Sequence, residues 1–548
     1  HWPGFASGSA YDETAALSMI RHAAYQIRGL PIPPMDIPAA PRLLDFTDNS
    51  RISWQGSAGA TGYIVERSET AAGPWSVIGR DICDASVQYR PLFADPGAQL
   101  GKSYYYRVKA QNSAGISDPS NVVGPVYAVH YALVDELADM TQIHRQQGPL
   151  SLEAKQARQF KEDAHRLKGQ QGSSIVYKTD EAICSFMLYA FFESTVKDFK
   201  ISASANGRDY TELTVETQVF SGDKDSYGYW MPVLYQGAVS PQQNFKYLKI
   251  EYTGPAQLSR VEIKYGTAKT AYSHTSNPAG FVKGFSWGWS GTRGQYTGDA
   301  PADSMKKLAA TGANWVCISF STEMETFDMP FFFFSQANDR MVTDDEVRRA
   351  IQLARDNNLK VILKPVINVR DTTWRAWIKF NNPDGTLDMA RWDMWWSDFR
   401  RFLLHYAQIA EETDCEMFCL GCEMESTEPF EIRWRSLIFE IRQVYGGPLT
   451  YNANHGREES IPWFDAVDII SLSAYFPVGT DDVEAALADD LTKVPPSDTS
   501  LPALLKRWKP IRDRLAKLSK QFDRPILFVE LGACNGKGCA AAPWTHQD

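Results

Sequence analysis

The chain has 548 residues and a formal net charge of −10, and since domains usually run about 100–200 residues, this length predicts two to four of them. The acidic balance argues against nucleic acid as a partner, because a phosphate-binding surface needs clustered lysine and arginine. No apolar run reaches the roughly 18 residues that a bilayer-spanning helix needs, so we expect no membrane partner.

Residues 1–38 comprise a loop, a helix and a linker. Between Thr14 and Arg28 the apolar residues fall on one helical face, and Gly29 ends the pattern. The Pro-rich stretch at 31–41 predicts a stiff, extended linker. A single helix before a linker has no core of its own, so we expect the last helix of a missing preceding domain. The phrase HWPGF with the helix after it resembles the end of a family 5-type mannanase barrel.

Residues 39–127 alternate in strand fashion between regularly spaced turns, which predicts a β-sandwich. The strand-like runs are RISW (51–54), GYIVERS (62–68), WSVIG (75–79) and SYYYRVKAQN (103–112). Trp54, the tyrosines at 104–106 and the closing phrase RVKAQNSAGISDPSN resemble a fibronectin type III domain. The resemblance implies a spacer between modules.

Residues 128–268 predict a second β-sandwich, because alternation is again strong. Its clearest runs are SSIVY (173–177), DFKISASANGRDYTEL (198–213), FKYLKIEY (245–252) and SRVEIKYG (259–266). The pattern resembles a galactose-binding-like jelly roll of the discoidin type, which implies carbohydrate binding by loops at one end. Tyr227, Tyr229 and Trp230 are candidates to stack on sugar rings. The alternative is that these aromatic side chains pack the sandwich.

From residue 279 onward, short apolar runs alternate with amphipathic helices, which is typical of βαβ units and a parallel sheet. The predicted strands are 281–287, 314–320, 360–367, 416–423, 449–454, 468–476 and 525–532. The predicted helices lie near 303–310, 392–412, 431–444 and 501–520, and one begins at Thr343 with a capping box to Glu346. A (β/α)8 barrel needs eight units. We therefore expect a multidomain chain, in which a truncated TIM barrel at 279–548 lacks its last unit and follows two β-sandwich domains.

Two glutamates end buried strands of the predicted barrel. Glu423 follows the run FCLGC and Glu530 follows ILFV. A carboxylate there is costly unless it is paired or faces an open cleft, and the active site of such barrels lies at the carboxyl ends of the strands. The pair on strands four and seven resembles that of the large clan of retaining glycosidases. The resemblance implies that Glu423 is the acid/base and Glu530 the nucleophile.

A retaining glycosidase needs two carboxyl groups. One carboxylic acid protonates the leaving oxygen, the other carboxylate attacks the anomeric carbon, and water then hydrolyses the glycosyl-enzyme. Glu425 and Glu428 lie just beyond Glu423, and Glu425 would point the same way if the strand continued. We prefer Glu423 as the acid because it is the first charge after the apolar run.

Six further residues at strand ends are candidate substrate-binding residues. Tyr475 ends the sixth strand and is placed to hydrogen-bond Glu530 and keep it ionised. Asn454 ends the fifth strand, where its amide is placed to bind a sugar hydroxyl. The remaining candidates are Trp287 and Trp289 at the first strand and Lys364 and Asn368 at the third. For each of the six, the alternative is a structural role in loop packing.

Five phrases of the barrel region look like glycoside hydrolase family 113. They are LKPVINVRDTTWRAWI (363–378), MFCLGCEMESTEP (417–429), LTYNAN (449–454), WFDAVDIISLSAYFPV (463–478) and RPILFVELG (524–532). The resemblance implies an endo-β-mannanase that acts with retention and without a metal or cofactor. Many members of the clan place asparagine directly before the acid/base, where this chain has Cys422.

These patterns predict a retaining endo-β-1,4-mannanase that acts on polysaccharide such as mannan or glucomannan. Two alternatives stay open, namely another β-glycan hydrolase of the same clan, such as a β-glucanase, and a non-catalytic carbohydrate-binding scaffold. We expect a secreted or periplasmic protein. The histidines never take HExxH spacing, so we expect no catalytic metal. The sequence leaves open the oligomeric state and whether Cys534 and Cys539, which share one loop, form a disulfide.

Overall fold

The computed structural model divides the chain into two compact units, His1–Ala268 and Lys269–Asp548. It describes all residues except 1–19, 21–22, 32–35, 85–90, 194, 221–227, 240–242, 267–279, 290, 333, 335–337, 488–493, 495–496, 534–538 and 545–548. Most of the helix predicted at 14–28 lies outside the described residues, as do Tyr227 and Cys534. Among the helices that are described, none combines the length and apolar character needed to cross a membrane.

The first sandwich of the N-terminal unit is antiparallel throughout. Its strands are β1 (Arg42–Leu43), β2 (Trp54–Gln55), β3 (Gly62–Ser68), β4 (Ser76–Ile82), β5 (Ser103–Asn112), β6 (Gly115–Ile116) and β7 (Val123–Tyr127). One sheet has the order β4-β3-β5-β6 with β7 also on β5, and β1 pairs with β2. Alternate residues of β5 are buried, so Tyr104, Tyr106 and Val108 pack with Trp54 in the core.

The second sandwich of this unit has two antiparallel sheets around one apolar core. Its strands are β8 (Tyr131–Asp135), β9 (Arg145–Gln147), β10 (Leu150–Glu153), β11 (Arg166–Gly169), β12 (Ser174–Lys178), β13 (Ile183–Phe192), β14 (Phe199–Ser204), β15 (Thr211–Glu212), β16 (Glu216–Val219), β17 (Met231–Ala238), β18 (Tyr247–Tyr252) and β19 (Ala256–Tyr265). The Trp230 ring packs 4.8 Å from the ring of the buried Phe160, and Lys161 lies over Tyr229. For Trp230 this contact favours the packing interpretation.

The C-terminal unit is built on one parallel sheet in chain order. Its strands are β20 (Gly284–Trp287), β21 (Trp315–Met324), β22 (Lys360–Val369), β23 (Met417–Cys422), β24 (Leu449–Asn454), β25 (Ile469–Ser473) and β26 (Ile526–Glu530). Its helices are α1 (Ala300–Ala310), α2 (Asp344–Asp356), α3 (Met389–Glu412), α4 (Glu431–Val444), α5 (Val483–Leu487) and α6 (Leu501–Phe522). The predicted fold class, a barrel preceded by two sandwiches, is confirmed.

The barrel strands are continuous apolar runs because helices cover one face and the barrel interior covers the other. Every residue of β23 is buried, and the interior core contains Trp315, Cys317, Met417 and Val529. Outside the sheet, α3 and α4 pack through a cluster of aromatic rings. Trp396 and Phe399 of α3 contact Trp434 of α4, with ring centres 5.5 and 5.6 Å apart.

The two edge strands of the parallel sheet approach each other without a shared backbone ladder in the described part of the chain. The Ser286 hydroxyl of β20 donates across the gap to the Val529 carbonyl of β26, at 3.2 Å. Phe285 is 54 % exposed and Leu531 is 71 % exposed, whereas side chains of the central strands are buried. The sheet is therefore a nearly closed barrel whose open side lies between β20 and β26.

The predicted capping box of α2 is present and also organises a loop of the barrel. The Thr343 side chain accepts from the backbone N–H of Glu346, and the Glu346 carboxylate accepts from the backbone N–H of Thr343. The same Glu346 carboxylate, which is 4 % exposed, accepts bonds from the backbone N–H groups of Gly294 (2.8 Å) and Tyr296 (3.2 Å). These residues belong to the loop that follows β20 and carries Trp289.

Replacing Glu346 by Ala should loosen this loop and destabilise the barrel by about 2 kcal/mol, because the buried Tyr296 N–H and the partly buried hydrogen bonds of Gly294 and Thr343 lose their acceptor. Amide hydrogen exchange should accelerate at Gly294 and Tyr296. Asp345→Ala, at an exposed position in the same helical turn, is the control and should leave exchange at both amides unchanged. Unchanged exchange in the Glu346 variant would contradict the role of this carboxylate.

Candidate active site

A cavity of about 1660 Å³ reaches the carboxyl ends of the barrel strands and runs along the open side between β20 and β26. Its polar lining includes Lys364, Arg375, Glu423, Glu425, Asn454, Tyr475 and Glu530. This end of the strands is where (β/α) barrels carry their active sites. The cavity is therefore the candidate active site.

Glu423 and Glu530 meet in this cavity, and a carboxylate oxygen of each lies within 4.8 Å of the other. The strand ladders bring them together. Cys422, directly before Glu423, is opposite Asn452 of β24. The ladder between β25 and β26 then shifts by one residue, which places Glu530 opposite Ser473. Such irregularities re-aim side chains at strand ends.

The backbone of Glu423 has a φ of 52°, in the left-handed region that non-glycine residues rarely occupy. In a regular strand, consecutive side chains point to opposite faces. Cys422 and Glu423 nevertheless both face Glu530, because the chain turns out of β23 at Glu423. The turn is held by the Glu423 N–H, which donates to the Asn452 carbonyl at 2.8 Å. Strain of this kind costs about 1–3 kcal/mol and is typical of active sites.

Glu530 accepts hydrogen bonds at both carboxylate oxygens. At Oε1 it is paired with the Lys364 ammonium and also accepts from Asn452 (3.0 Å) and the Cys422 thiol (3.3 Å). At Oε2 it accepts from the Tyr475 hydroxyl at 3.2 Å, the hydrogen bond expected from the sequence. Burial raises the pKa of Glu530, but the charge and hydrogen bond of Lys364 outweigh burial, so the pKa lies below its usual value.

Lys364 and Cys422 are both protonated in this pocket, but Lys364 is charged and Cys422 is neutral. Burial lowers the pKa of Lys364, but the negative charge of Glu530 opposes burial, so the net shift is upward and the ammonium keeps its charge. Burial also raises the pKa of the Cys422 thiol well above its usual range. Cys422 is therefore a neutral donor, and Lys364 supplies the positive charge beside Glu530.

Glu423 is held at only one of its oxygens. Oε2 accepts from the Arg375 guanidinium at 2.9 Å and from the Trp374 indole at 3.1 Å. Among the described residues, no donor bonds Oε1. Arg375 is in turn held by Asn368, because the second guanidinium nitrogen of Arg375 donates a hydrogen bond to Asn368 Oδ1 at 2.8 Å. The free oxygen of Glu423 is thus available to carry a proton or to meet a ligand.

Two exposed tryptophans add aromatic surface to the lining of the cavity. Trp289 is 40 % exposed, and the cations of Lys364 and Arg375 lie 5.5 and 5.0 Å from its ring centre. Trp377 is 60 % exposed and packs edge-on against Trp374, with ring centres 5.8 Å apart. Flat, exposed rings of this kind are suited to stack on sugar rings.

A second aromatic pair lies farther along the cavity. The ring of His455 stacks on that of Trp544, with centres 5.2 Å apart and planes at 26°. Burial lowers the pKa of His455 to about 4, so the imidazole is neutral at neutral pH. A neutral ring next to an indole adds flat surface without adding charge.

Six of the eight predicted site residues line the cavity, namely Glu423, Glu530, Tyr475, Asn454, Lys364 and Trp289. The other two, Trp287 and Asn368, do not. Trp287 packs on Tyr296 and donates to the Ser304 hydroxyl at 3.0 Å, because it points away from the interior that its neighbour Ser286 faces. Asn368 is engaged by Arg375, so it supports the site from behind.

Three donors of the site were not predicted from the sequence, namely Arg375, Trp374 and Asn452. Asn452 lies two residues before Asn454 in β24, so the period of two places both on the inward face. This alternation of polar residues is the sequence signal from which Asn452 could have been predicted. Arg375 and Trp374 follow β22 in a loop and a short 3₁₀ turn, where no periodicity assigns a side-chain direction.

The alternative acid candidates differ from Glu423 in their surroundings. Glu425 lines the cavity, but it accepts from Asn454 at 2.8 Å and pairs with Arg457 at 3.4 Å. Glu428 is 2 % exposed and lies outside the cavity lining. Glu423 is the one of the three whose oxygen comes within 4.8 Å of Glu530 in the described carboxylate cluster.

A parallel barrel with two closely spaced carboxylates at the ends of strands four and seven is the architecture of a retaining glycoside hydrolase. A sequence model of glycoside hydrolase family 113 matches residues 285–548. A solved GH113 β-mannanase from Alicyclobacillus acidocaldarius, in complex with ManMIm, is 34 % identical, and the match covers 50 % of this chain and 78 % of that chain with a TM-score of 0.42. Through its C-terminal unit, the chain belongs to glycoside hydrolase family 113.

Two further similarities concern different parts of known proteins. Another solved GH113 β-1,4-mannanase is 33 % identical, with coverage of 48 % of this chain and 76 % of that chain and a TM-score of 0.40. Roundabout homolog 1 of Mus musculus is 30 % identical over 131 residues, which are 22 % of this chain and 8 % of that protein. The chain thus spans less than a tenth of the length of this curated relative.

Removing the charge of Lys364 should destabilise the barrel, because Glu530 would become a buried carboxylate without a counter-charge. Lys364→Met should cost about 3 kcal/mol, and adding Glu530→Gln should restore most of the loss. Lys509→Met removes an exposed lysine paired with Asp513 at 3.8 Å and should change stability by less than about 0.5 kcal/mol. Urea unfolding followed by tryptophan fluorescence measures these changes, since most tryptophans lie in this unit. Equal losses in the single and double variants would contradict the pairing.

Proposed function

We propose that this protein is a retaining endo-β-1,4-mannanase in which Glu423 is the acid/base and Glu530 is the nucleophile. The observation that carries the proposal is the unequal bonding of two carboxylates within 4.8 Å of each other. Each carboxylate is paired with a cation, but Glu530 accepts donors at both oxygens, whereas Glu423 accepts Arg375 and Trp374 at Oε2 only. A nucleophile has to stay ionised, and an acid needs an oxygen that is free to hold a proton.

The first chemical step forms a covalent glycosyl-enzyme. Glu423 gives its proton to the glycosidic oxygen, the bond from that oxygen to C1 breaks, and a Glu530 oxygen bonds to C1. Oε2 is the oxygen suited to attack, because Tyr475 alone bonds it while Lys364 holds Oε1. The leaving chain departs as a neutral alcohol.

The second step releases the sugar and restores both carboxyl groups. Glu423, now a carboxylate, takes a proton from water as the water oxygen attacks C1, and the bond from C1 to Glu530 breaks. Lys364 stabilises the departing carboxylate. Retaining pairs lie about 5–5.5 Å apart and inverting pairs about 6.5–9.5 Å apart, so the close approach of the two oxygens supports retention.

The shape of the cavity supports cleavage inside a polysaccharide chain. Trp289 lies over the cations that hold the catalytic pair, and Trp377 extends the aromatic surface beyond Trp374 on the Glu423 side. The acid faces the leaving group, so this side accommodates sugars beyond the cleaved bond. Two solved relatives, 33 % and 34 % identical to this chain, are described as β-1,4-mannanases, which supports a β-1,4-mannan as the substrate.

The polymeric nature of the substrate also indicates where the protein acts. Mannans are chains too long to cross a lipid bilayer intact. An enzyme that cuts them internally therefore works where the polymer is found, and we include in the proposal that the protein is secreted or periplasmic.

Hydrolysis by the full-length protein of mannan, glucomannan, xylan and cellulose tests the proposal directly. We expect mannan and glucomannan to give oligosaccharides of mixed length early in the reaction, and xylan and cellulose to remain intact. Proton NMR should show the β-anomer as the first product. Preferential cleavage of cellulose would favour a β-glucanase, and binding without any cleavage would favour a carbohydrate-binding scaffold.

Substitution of each carboxylate should give a different kinetic result. Glu423→Gln should lower turnover of mannan by about 10²–10⁴-fold, yet aryl mannobiosides with good leaving groups should still form the glycosyl-enzyme, because they need no acid. Glu530→Ala should abolish turnover and form no adduct. Mass spectrometry of the intact protein measures the adduct. Glu425→Gln, the matched control within the cavity, should keep most of the activity; loss equal to that of Glu423→Gln would reassign the acid.

A further inference from the structure

A buried carboxyl group lies behind the proposed acid and takes no part in the mechanism above. Glu428 is five residues after Glu423, in the turn that leads to α4, and it is 2 % exposed. Its Oε1 accepts the Tyr451 hydroxyl at 2.9 Å. Its Oε2 is buried and receives no hydrogen bond among the described residues. A buried oxygen without a hydrogen bond costs free energy, so its presence in this structure needs a physical explanation.

Tyr451 connects this carboxyl group to the backbone beside the acid. The Tyr451 hydroxyl donates to Glu428 and accepts from the N–H of Met424 at 2.9 Å. Met424 directly follows Glu423, whose φ of 52° turns the chain out of its strand. The bond from Met424 to Tyr451 therefore fixes the peptide group that determines where the Glu423 side chain points.

The turn after Glu423 is rigid on its other sides as well. The Thr427 hydroxyl donates to the Met424 carbonyl at 2.8 Å, and the Trp463 indole donates to the Glu428 carbonyl at 3.0 Å. The Tyr451 ring packs 5.0 Å from that of Trp463. Tyr451 is thus locked in place, with Glu428 as the acceptor that orients its hydroxyl.

We propose that Glu428 and Tyr451 are positioning residues, which hold the Glu423 carboxyl group in the orientation that protonates the leaving oxygen. The proposal rests on the proposed role of Glu423 as acid/base. Neither residue lines the cavity, so neither touches the substrate. Their contribution is to transition-state geometry, where a displacement of about 1 Å is enough to slow a reaction about a hundredfold.

The charge state of Glu428 gives this pair a dependence on pH. Burial raises the pKa of Glu428 to about 7, although the Tyr451 hydrogen bond opposes the rise. The other charged groups that face it are Glu425, Arg457 and Glu458. Because the folded-state pKa is raised above the unfolded value, the folded protein loses stability as pH rises towards 7. Below that window Glu428 is neutral, and above it a buried charge lies beneath the turn.

Tyr451→Phe in the full-length protein tests the positioning role, because it removes the bond to Met424 and keeps the ring. We expect kcat to fall about ten- to a hundredfold on mannan with KM unchanged. The loss in kcat/KM, which reports the glycosylation step, should shrink across aryl mannobiosides as the leaving group improves, since good leaving groups need little acid assistance in that step. Tyr445→Phe, which removes a buried tyrosine bond to the Cys415 carbonyl (2.7 Å), is the matched control and should show no leaving-group dependence.

Two substitutions of Glu428 complete the test. Glu428→Gln keeps an acceptor for Tyr451 and should retain wild-type leaving-group dependence, whereas Glu428→Leu should resemble Tyr451→Phe. The melting temperature of Glu428→Gln relative to wild type should rise between about pH 5 and 7 and then level off. A Tyr451→Phe defect equal for all leaving groups, or none, would overturn the inference. Failure of the wild type to cleave any β-mannoside would instead overturn the proposed function.

Discussion

The buried ion pair between Lys364 and Glu530 is the interaction on which the geometry of the site depends. Lys364 has no exposed side-chain surface, so its charge has to be neutralised by the protein. It extends from β22, and Glu530 ends β26, four strands farther along the sheet. A bond between them crosses the barrel interior and fixes both strand ends. The neighbours of Glu530 then only have to complete its hydrogen bonding.

One of these neighbours, Cys422, differs from the residue that many members of the wider glycosidase clan have at its position. The position before Glu423 holds a thiol instead of the usual asparagine, and the thiol donates to Glu530. The amide comes instead from Asn452 on the next strand, which donates to Glu530 and lies 3.3 Å from the Cys422 sulfur. A buried thiol is small and nearly apolar. It thus leaves Lys364 as the cation that hydrogen-bonds the nucleophile.

The barrel and its two carboxylates were predictable because their signals are local. The capping residues of α2 and the apolar runs of the strands are contiguous in sequence, and a glutamate after such a run is visible without a structure. The direction of a side chain at an edge strand is not local. Trp287 faces away from the cavity because Ser286 takes the inward position, and that parity follows from strand register. Arg375 reaches Glu423 from a loop, and a loop has no sequence periodicity that predicts where a side chain points.

The left-handed turn at Glu423 shows why the strained residue is a glutamate and not a glycine. Glycine would adopt this φ at little cost, but it has no carboxyl group. A regular strand would avoid the strain, but then Cys422 and Glu423 would face opposite sides and only one could approach Glu530. Chemistry at this point requires both side chains on one face. The strain is therefore the consequence of placing two functional groups at adjacent positions, and the bonds from Glu423 to Asn452 and from Met424 to Tyr451 offset it.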